Sequence, residues 1–169
     1  QYIIKKGAND DKYIGTAASY LNYLGTDKLS AQEIKQAFYR LACDFFIQSS
    51  QDKTYLTING LSENMGEAMA LFEDLLANAV ADPNVLANLK ADLVKSRANA
   101  KLQQNANFVR LRQYMIYGND NPVKNVLSNQ EIMALTDAEL LAKAKELTTL
   151  EHTILYYGPK SKEELLADL

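Results

Sequence analysis

The sequence predicts an α+β domain, in which a mostly antiparallel sheet carries its helices on one face. Two segments rich in β-forming residues, DFFIQSS and KTYLTING, lie on either side of Gln51-Asp52 and indicate a hairpin. Further strands are expected at 1–6 and in HTILYYG (152–158), and runs of helical periodicity separate them. Strands separated by helices, with an antiparallel hairpin among them, are typical of the α+β class.

The first helix is expected between Tyr13 and Leu24, after the polar turn GANDD. Its apolar residues recur at helical spacing, and Gly25 is predicted to end it as a C-cap. A second helix is predicted to begin at Ser30, because Glu33 follows three residues later and completes a capping box.

The hairpin strand 54–60 alternates in polarity. Every second residue is polar and the residues between them are apolar or glycine, which predicts one apolar and one polar face. The polar set is Tyr55, Thr57 and Asn59, and the other set is Leu56, Ile58 and Gly60.

The middle of the chain reads as three helices. Ser62 is predicted to cap the first. Its core stripe consists of Met65, Met69, Phe72, Leu75 and Leu76. Asp82-Pro83 is expected to begin the second, with a stripe formed by Val85 or Leu86 together with Leu89, Leu93 and Ala100. The third is expected from Asn105 to Gly118 and carries Phe108, Leu111, Met115 and Ile116.

The segment GNDNP (118–122) is a strong turn signal. Two short helices are expected after it, capped by Ser128 and by Thr136, with Glu139 completing a capping box for the second. Pro159 is expected to end the last strand, and SKEELLADL (161–169) to form a final helix.

Length and composition favour a single globular domain over 1–169. The net charge of −3 and the scattered positions of Arg97, Arg110 and Arg112 argue against a nucleic-acid partner, since no basic stripe is formed. No apolar run approaches the roughly 20 residues of a membrane span, so a soluble protein without one is expected. The single cysteine, Cys43, has apolar neighbours and is interpreted as a buried, inert thiol, which excludes an internal disulfide and a cysteine-based zinc site.

No catalytic constellation is evident from residue chemistry. His152 is the only histidine, which excludes a multi-histidine metal site, and a structural or surface role is favoured over that of a catalytic base. A Ser–His–Asp arrangement built on it stays open, although no nucleophile-elbow motif supports one. No glycine-rich phosphate loop occurs. Four tyrosines suit either a binding surface or, as favoured here, the edge of the core: Tyr114, Tyr117, Tyr156 and Tyr157.

The ordered series of segments resembles the repeated domain of the insulinase (pitrilysin) family of zinc metallopeptidases over essentially the whole chain. Gly25-Thr26 stands where that family ends a helix with Gly-Thr, and a Ser-initiated helix and the 44–60 hairpin follow. Leu61-Ser62-Glu63-Asn64 then matches a conserved helix start of the family. The later matches are Thr136 to Leu140, which resembles a Leu-Thr-x-x-x-Leu element, and Tyr157-Gly158-Pro159, at the exit from the last strand.

The resemblance implies that the family's metal site is missing here. Its active domain carries H-x-x-E-H on the helix that ends in Gly-Thr, and the ungapped match places Thr16, Ser19 and Tyr20 at those positions. A distant glutamate ligand is also missing, because no glutamate occurs between Glu73 and Glu131, and Asp92 is interpreted as part of a solvated face. No catalytic residue, metal ligand or zinc is therefore expected in this domain.

We therefore expect a non-catalytic domain of a bacterial zinc metallopeptidase that helps to enclose peptide substrates. The implied partners are sibling domains in the same chain or a partner subunit, one of which holds the zinc. The abrupt start at Gln1 suggests a segment of a longer protein. Because the 13–60 region resembles the metal-bearing type of domain more than the type that follows it, the third of four domains is expected. The periplasm is slightly favoured over the cytoplasm. The alternative is a structural or assembly protein that reuses the fold without peptidase activity.

Overall fold

The computed structural model describes residues 1–121 and 124–168 and confirms the α+β class. Six strands are present in this part of the chain: β1 (Tyr2–Ile4), β2 (Gly25–Thr26), β3 (Cys43–Ser49), β4 (Thr54–Gly60), β5 (Ala79–Val80) and β6 (His152–Ile154). The α-helices are α1 (Ile14–Leu21), α2 (Ala31–Arg40), α3 (Met65–Asn78), α4 (Pro83–Leu102), α5 (Gln104–Tyr117), α6 (Asn129–Ala134), α7 (Asp137–Thr148) and α8 (Lys162–Asp168). Pro122 of the predicted turn lies outside the described residues.

Four strands form the main sheet in the order β3-β4-β1-β6, and every neighbouring pair is antiparallel. The predicted hairpin is confirmed, with Ser49 opposite Thr54 next to the turn. A second, two-residue ladder joins β2 to β5. Helices α1, α2 and α3 pack on one face of the sheet, against β3 and β4.

The core lies between this helical layer and the sheet. From α1 it takes the predicted apolar residues Ile14, Ala17, Ala18 and Leu21, together with Tyr20, and Leu24 is buried just after the helix. From α3 it takes Ala68, Phe72 and Leu75. Met65 and Leu76 of the predicted α3 stripe are only partly buried, and in α4 only Leu86 is buried. Cys43 is buried, as predicted.

The expected polar face of β4 is wrong at Thr57. This residue is 7% exposed, whereas Asn59, two residues on, is open to solvent. The Gln1 side-chain amide lies over this part of the strand and donates to Thr57 Oγ1 at 2.9 Å. A contact with the beginning of the chain, 56 residues away, therefore buries a residue that its own strand pattern places outside.

The end of α1 differs from the prediction that Gly25 is its C-cap. The helix ends at Leu21 with Asn22 as its C-cap, and the Asn22 amide donates to Ala18 O at 3.0 Å and to Ile47 O at 2.8 Å. Ile47 N in turn donates to Asn22 Oδ1 at 2.8 Å. Gly25 is instead extended in β2, where a Cβ atom would lie 2.5 Å from Leu29 O. The glycine is needed for close backbone approach and not to end the helix.

Ser62 does not cap α3. It lies in a 3₁₀ turn before the helix and makes no capping hydrogen bond. Its hydroxyl lies 3.3 Å from the Tyr156 hydroxyl, which also accepts a hydrogen bond from Lys160 N at 3.2 Å.

The last strand is shorter than the predicted 152–158. It ends at Ile154, and Leu155 still exchanges two backbone hydrogen bonds of 2.8 Å with Gln1, the first residue of the chain.

The remaining capping predictions are confirmed. Complete capping boxes join Ser30 to Glu33 and Thr136 to Glu139, and Asp82 caps α4 through Asn84 N at 2.9 Å. Ser128 caps α6, where Glu131 completes a further box. These four helix starts were predictable because a cap depends on residues two or three positions apart.

Ion pairs join the segment around β1 to the later helices. Lys6 pairs with Glu146 and Lys12 pairs with Glu131. Lys143 Nζ lies 2.6 Å from Asp11 Oδ2. Burial would raise the pKa of Asp11, but hydrogen bonds from Lys143 and from the Tyr13 N–H outweigh it, and the pKa is lowered.

Candidate functional site

Helix α1 carries the three positions at which the resemblance expects metal chemistry. Thr16, Ser19 and Tyr20 occupy i, i+3 and i+4, so their side chains lie on one side of the helix. Thr16 and Ser19 are half-buried, and Tyr20 is completely buried. The Ser19 hydroxyl donates to Gly15 O at 2.9 Å and is therefore engaged within the helix itself.

The Tyr20 hydroxyl joins three helices. It accepts a hydrogen bond from Asp82 N at 2.9 Å, just before α4, and lies 2.5 Å from Asp137 Oδ1 in the first turn of α7. Asp82 O lies within reach at 3.1 Å. Burial, followed by the hydrogen bond to Asp137, raises the pKa of Tyr20, so the phenol stays neutral and donates to that carboxylate. Tyr20 thus holds the starts of α4 and α7 against α1.

These side chains are unsuited to binding zinc. Protein zinc ligands are usually thiolates, imidazoles and carboxylates, and α1 supplies only hydroxyl groups at the three positions. Across residues 1–121 and 124–168, no group of three or more His, Cys, Asp or Glu is arranged to hold a metal ion. Asp92 is exposed on α4, as its interpretation as a solvated residue requires.

His152 lies far along the chain from this helix, at the start of the edge strand β6. Its ring is exposed, lies edge-on to the Tyr2 ring with centroids 5.5 Å apart, and has Nδ1 3.2 Å from Leu150 O. No serine or carboxylate hydrogen-bonds to it among the described residues. The geometry supports a surface role and gives no nucleophile–base pair.

A groove of about 470 Å³ lies between the end of β4, the start of α3 and the C-terminal segment. Its walls are mainly apolar, with Ile58, Met65, Met69 and Leu155, and the Tyr156 side chain closes one part of it. Such a lining binds apolar groups by burial, and it offers no pair of groups for acid–base chemistry. This groove is assembled from segments far apart along the chain, between Gln1 and Leu165, so no local sequence pattern indicates it.

The four tyrosines are not equivalent. Tyr156 is partly buried, as expected for the core edge, but Tyr114, Tyr117 and Tyr157 are 55%, 53% and 102% exposed. The interpretation of these three as core-edge residues is wrong, because the helix and the segment that carry them have little protein packed around them. The partners of Tyr20, Asp82 and Asp137, were also missed, since they lie 62 and 117 residues away along the chain.

No helix in the described part of the chain is long and apolar enough to cross a membrane. Comparison with protein-family models gives no match, and comparison with curated proteins gives none either. Solved structures do match. The periplasmic protease PqqL from Escherichia coli is 18% identical with a TM-score of 0.77, and the match covers 99% of this chain and 19% of PqqL.

Two further structures show the same architecture. A peptidase M16 inactive domain from Pseudomonas fluorescens is 20% identical with a TM-score of 0.71, over 84% of this chain and 36% of that one. The ferredoxin protease FusC, solved as a mutant in complex with Arabidopsis ferredoxin, is 14% identical with a TM-score of 0.77, over 99% of this chain and 19% of FusC. The chain thus spans about a fifth of the length of PqqL and FusC, and its fold is that of a domain of the M16 peptidases, the insulinase and pitrilysin type.

Proposed function

We propose that this chain is a non-catalytic domain of a zinc metalloendopeptidase and forms part of the wall of a chamber that encloses peptide substrates. The proposal rests on the residues of α1 at the three positions where the resemblance places metal ligands. The fold is that of an M16 domain, but the residues at the metal positions are Thr16, Ser19 and Tyr20, and Tyr20 is committed to joining α4 and α7.

The hydrogen bonds of the buried Tyr20 hydroxyl favour a structural role for α1 over a metal-binding one. A metal ligand must have a lone pair free for the ion, whereas the Tyr20 hydroxyl already has three hydrogen-bonding atoms within 3.1 Å. The zinc is then held by a separate catalytic domain, in the same polypeptide or in a partner subunit. The small share of PqqL and FusC that the chain covers supports sibling domains of this kind.

Two surfaces suit contact with an unfolded peptide. The groove beside Met65 can bury apolar side chains of a substrate. The neighbouring strand β6 is at the edge of the sheet, all three of its residues are exposed, and an extended peptide can pair with the backbone of such an edge. Neither surface needs a catalytic group, which fits a domain that holds substrate for chemistry performed elsewhere.

A periplasmic location in a bacterium is part of the proposal. It is supported by the fold shared with PqqL, which is a periplasmic protease. Secretion of a tagged gene product, followed by fractionation, tests this point independently of any activity.

The central test uses both the 169-residue chain and the gene product that contains it. The chain alone is expected to hold substoichiometric zinc by elemental analysis and to leave a fluorogenic peptide uncleaved. The gene product, or its complex with a partner subunit, is expected to cleave that peptide in a zinc-dependent manner. One bound zinc per isolated chain would contradict the non-catalytic assignment, and an inactive gene product with no active partner would favour the structural or assembly alternative.

A matched pair of variants tests contact with substrate. Met65→Asp places a charge in the apolar groove. It is expected to lower kcat/KM of the gene product by about tenfold, because the groove then no longer buries a large apolar side chain of the substrate. Met133→Asp places the same charge at a methionine that is 62% exposed on α6, and it should leave kcat/KM unchanged. Equal effects of the two variants would remove the groove from the proposal.

A further inference from the structure

Helix α5 is oriented with its apolar side away from the domain. Only Ala106 and Gln113, seven residues apart and therefore on one side of the helix, are partly buried. Leu111 and Met115 lie on the opposite side and are 55% and 77% exposed. Phe108, three residues before Leu111, lies on the same side and is 62% exposed. Ile116 lies between the two sides and is 64% exposed. A helix of a globular domain normally turns its apolar stripe to the core, so α5 has the reverse arrangement.

Local interactions do not account for the stability of α5. It has 14 residues, a length at which an isolated helix is marginal in water, and none of its residues is buried. Gln103, at its N-cap, makes no capping hydrogen bond, and the helix has no acidic residue in its first turn and no basic residue in its last. A partner that covers the apolar side would supply the stability that these local features do not.

The charge of this region indicates the character of the partner. Residues 83–117 contain six Lys or Arg and one Asp, although the chain as a whole has a net charge of −3. On α5 itself Arg112, four residues after Phe108, lies beside the apolar side, whereas Arg110, four residues after Ala106, lies nearer the domain, and both are exposed. None of the ion pairs found among the described residues involves α4 or α5. A complementary surface would carry carboxylates around an apolar centre.

The shape of the surface selects a folded partner over a flexible one. The side chains of α5 form a convex ridge about 21 Å long, at 1.5 Å per residue. A ridge of this kind docks into a groove, which a folded domain offers and an unfolded peptide does not. A helix also offers no open strand edge, to which the backbone of an extended peptide could pair.

We propose that α5 is the docking ridge by which this domain binds a sibling domain of the same gene product, through an apolar groove edged by carboxylates on that sibling. This inference rests on the proposed function, because it requires the multidomain protein. It also extends it, since it identifies the surface and the charge of the contact. The share of PqqL and FusC left uncovered by this chain is consistent with a sibling being present.

Hydrogen exchange of the α5 amides tests the docking. In the 169-residue chain these amides are expected to exchange at rates close to those of an unfolded peptide, and in the gene product at least about tenfold more slowly. Leu111→Asp combined with Met115→Asp should restore fast exchange in the gene product. Tyr39→Asp is the matched control, because Tyr39 is 85% exposed on α2, and it should leave α5 protected. Arg110→Glu combined with Arg112→Glu should also reduce the protection.

Each other outcome has a definite meaning. Equal exchange of α5 in the chain and in the gene product would overturn the docking ridge. Concentration-dependent protection in the isolated chain, with a dimer in sedimentation, would make a second copy the occupant and overturn it too. So would protection that appears only on adding a synthetic unstructured peptide of Glu, Leu and Ser. Peptidase activity of the unaltered gene product separates these failures from failure of the proposed function.

Discussion

Helices α1 and α5 show two opposite relations between a helix and its domain. In α1 the apolar residues are buried and even the phenol of Tyr20 has hydrogen-bonding partners on two other helices. In α5 no residue is buried, and its largest apolar side chains face away from the domain. The positions at which the resemblance places metal ligands are part of the internal structure here, whereas the surface that lacks internal partners is the one expected to bind other molecules.

The difference is also one of energy. Burial removes apolar surface from water and stabilises the domain, at about 25 cal/mol for each Å². Side chains on α5 have gained almost none of this energy, so substitutions there should be nearly silent in the isolated chain. Identical substitutions in the α1–α3 core should be costly. Four measurements follow from this contrast.

The largest effect is expected from matched phenylalanine truncations. Phe72 on α3 is 0% exposed and packs against Phe45 at a centroid distance of 5.3 Å, so Phe72→Ala should lower the free energy of unfolding by about 3–5 kcal/mol. Phe108→Ala removes the same atoms from a side chain that is 62% exposed. It should change the free energy of unfolding by less than about 0.5 kcal/mol. Urea unfolding of the 169-residue chain measures both, and a large loss for Phe108→Ala would show that α5 is packed in isolation.

The next largest effect on the free energy of unfolding is expected from Tyr20→Phe. The ring stays buried, but Asp82 N and Asp137 Oδ1 lose their partner, and unsatisfied buried polar groups should lower the free energy of unfolding by about 1–3 kcal/mol. Tyr39→Phe, at an 85% exposed position on α2, is the control and should have no measurable effect. If both variants unfold at the same urea concentration, Tyr20 does not hold the three helices together.

Acid should weaken the ion pair between Lys12, near the beginning of the chain, and Glu131 on α6. Hydrogen bonds from Lys12 and then from Ser128 lower the pKa of Glu131 to about 2, from an ordinary value of 4.5. A carboxyl group with a lowered folded-state pKa contributes stability that is complete above about pH 4.5 and is lost as the pH falls towards about 2.

Glu131→Gln tests this dependence, because glutamine can still occupy the capping box but carries no charge. The urea midpoint of the variant should fall less steeply than that of the unaltered chain between pH 4.5 and about 2. Glu67→Gln, at an exposed position on α3, should leave the pH profile as it is. Parallel profiles for the unaltered chain and Glu131→Gln would mean that the ion pair with Lys12 contributes nothing in solution.

What could be predicted from the sequence depended on the distance over which each feature is determined. The capping boxes and the hairpin were correct because residues a few positions apart determine them. The C-cap at Gly25 and the cap at Ser62 were wrong because Asn22 and Tyr156 form contacts across the fold that override the local signal.

The candidate site also has features that the local sequence predicts and others that depend on distant contacts. The resemblance located Thr16, Ser19 and Tyr20 by alignment, and the sequence offered no sign that Asp82 and Asp137 would meet one of them. The apolar residues of α5 were visible as a helical pattern, but a pattern does not tell which side faces a core. The excess of basic residues across 83–117 is present in the sequence, but it becomes evident only when lysines and arginines are counted over the whole stretch, since each of them is isolated among neutral neighbours.

The smallest effect is expected at the junction of α4 and α5, and it isolates the local weakness of α5 from the absence of its partner. Gln103 has the extended backbone of an N-cap, with φ −92° and ψ 119°, but its side chain makes no capping bond. Gln103→Ser supplies a hydroxyl for the N–H groups of the first turn and should stabilise α5 by about 1 kcal/mol, which slows amide exchange by up to about fivefold. Gln104→Ser, one residue inside the helix, should give no such protection. The urea midpoint of the whole chain should not move in either variant, since α5 adds no buried surface, and a shift in that midpoint would show that α5 unfolds together with the core.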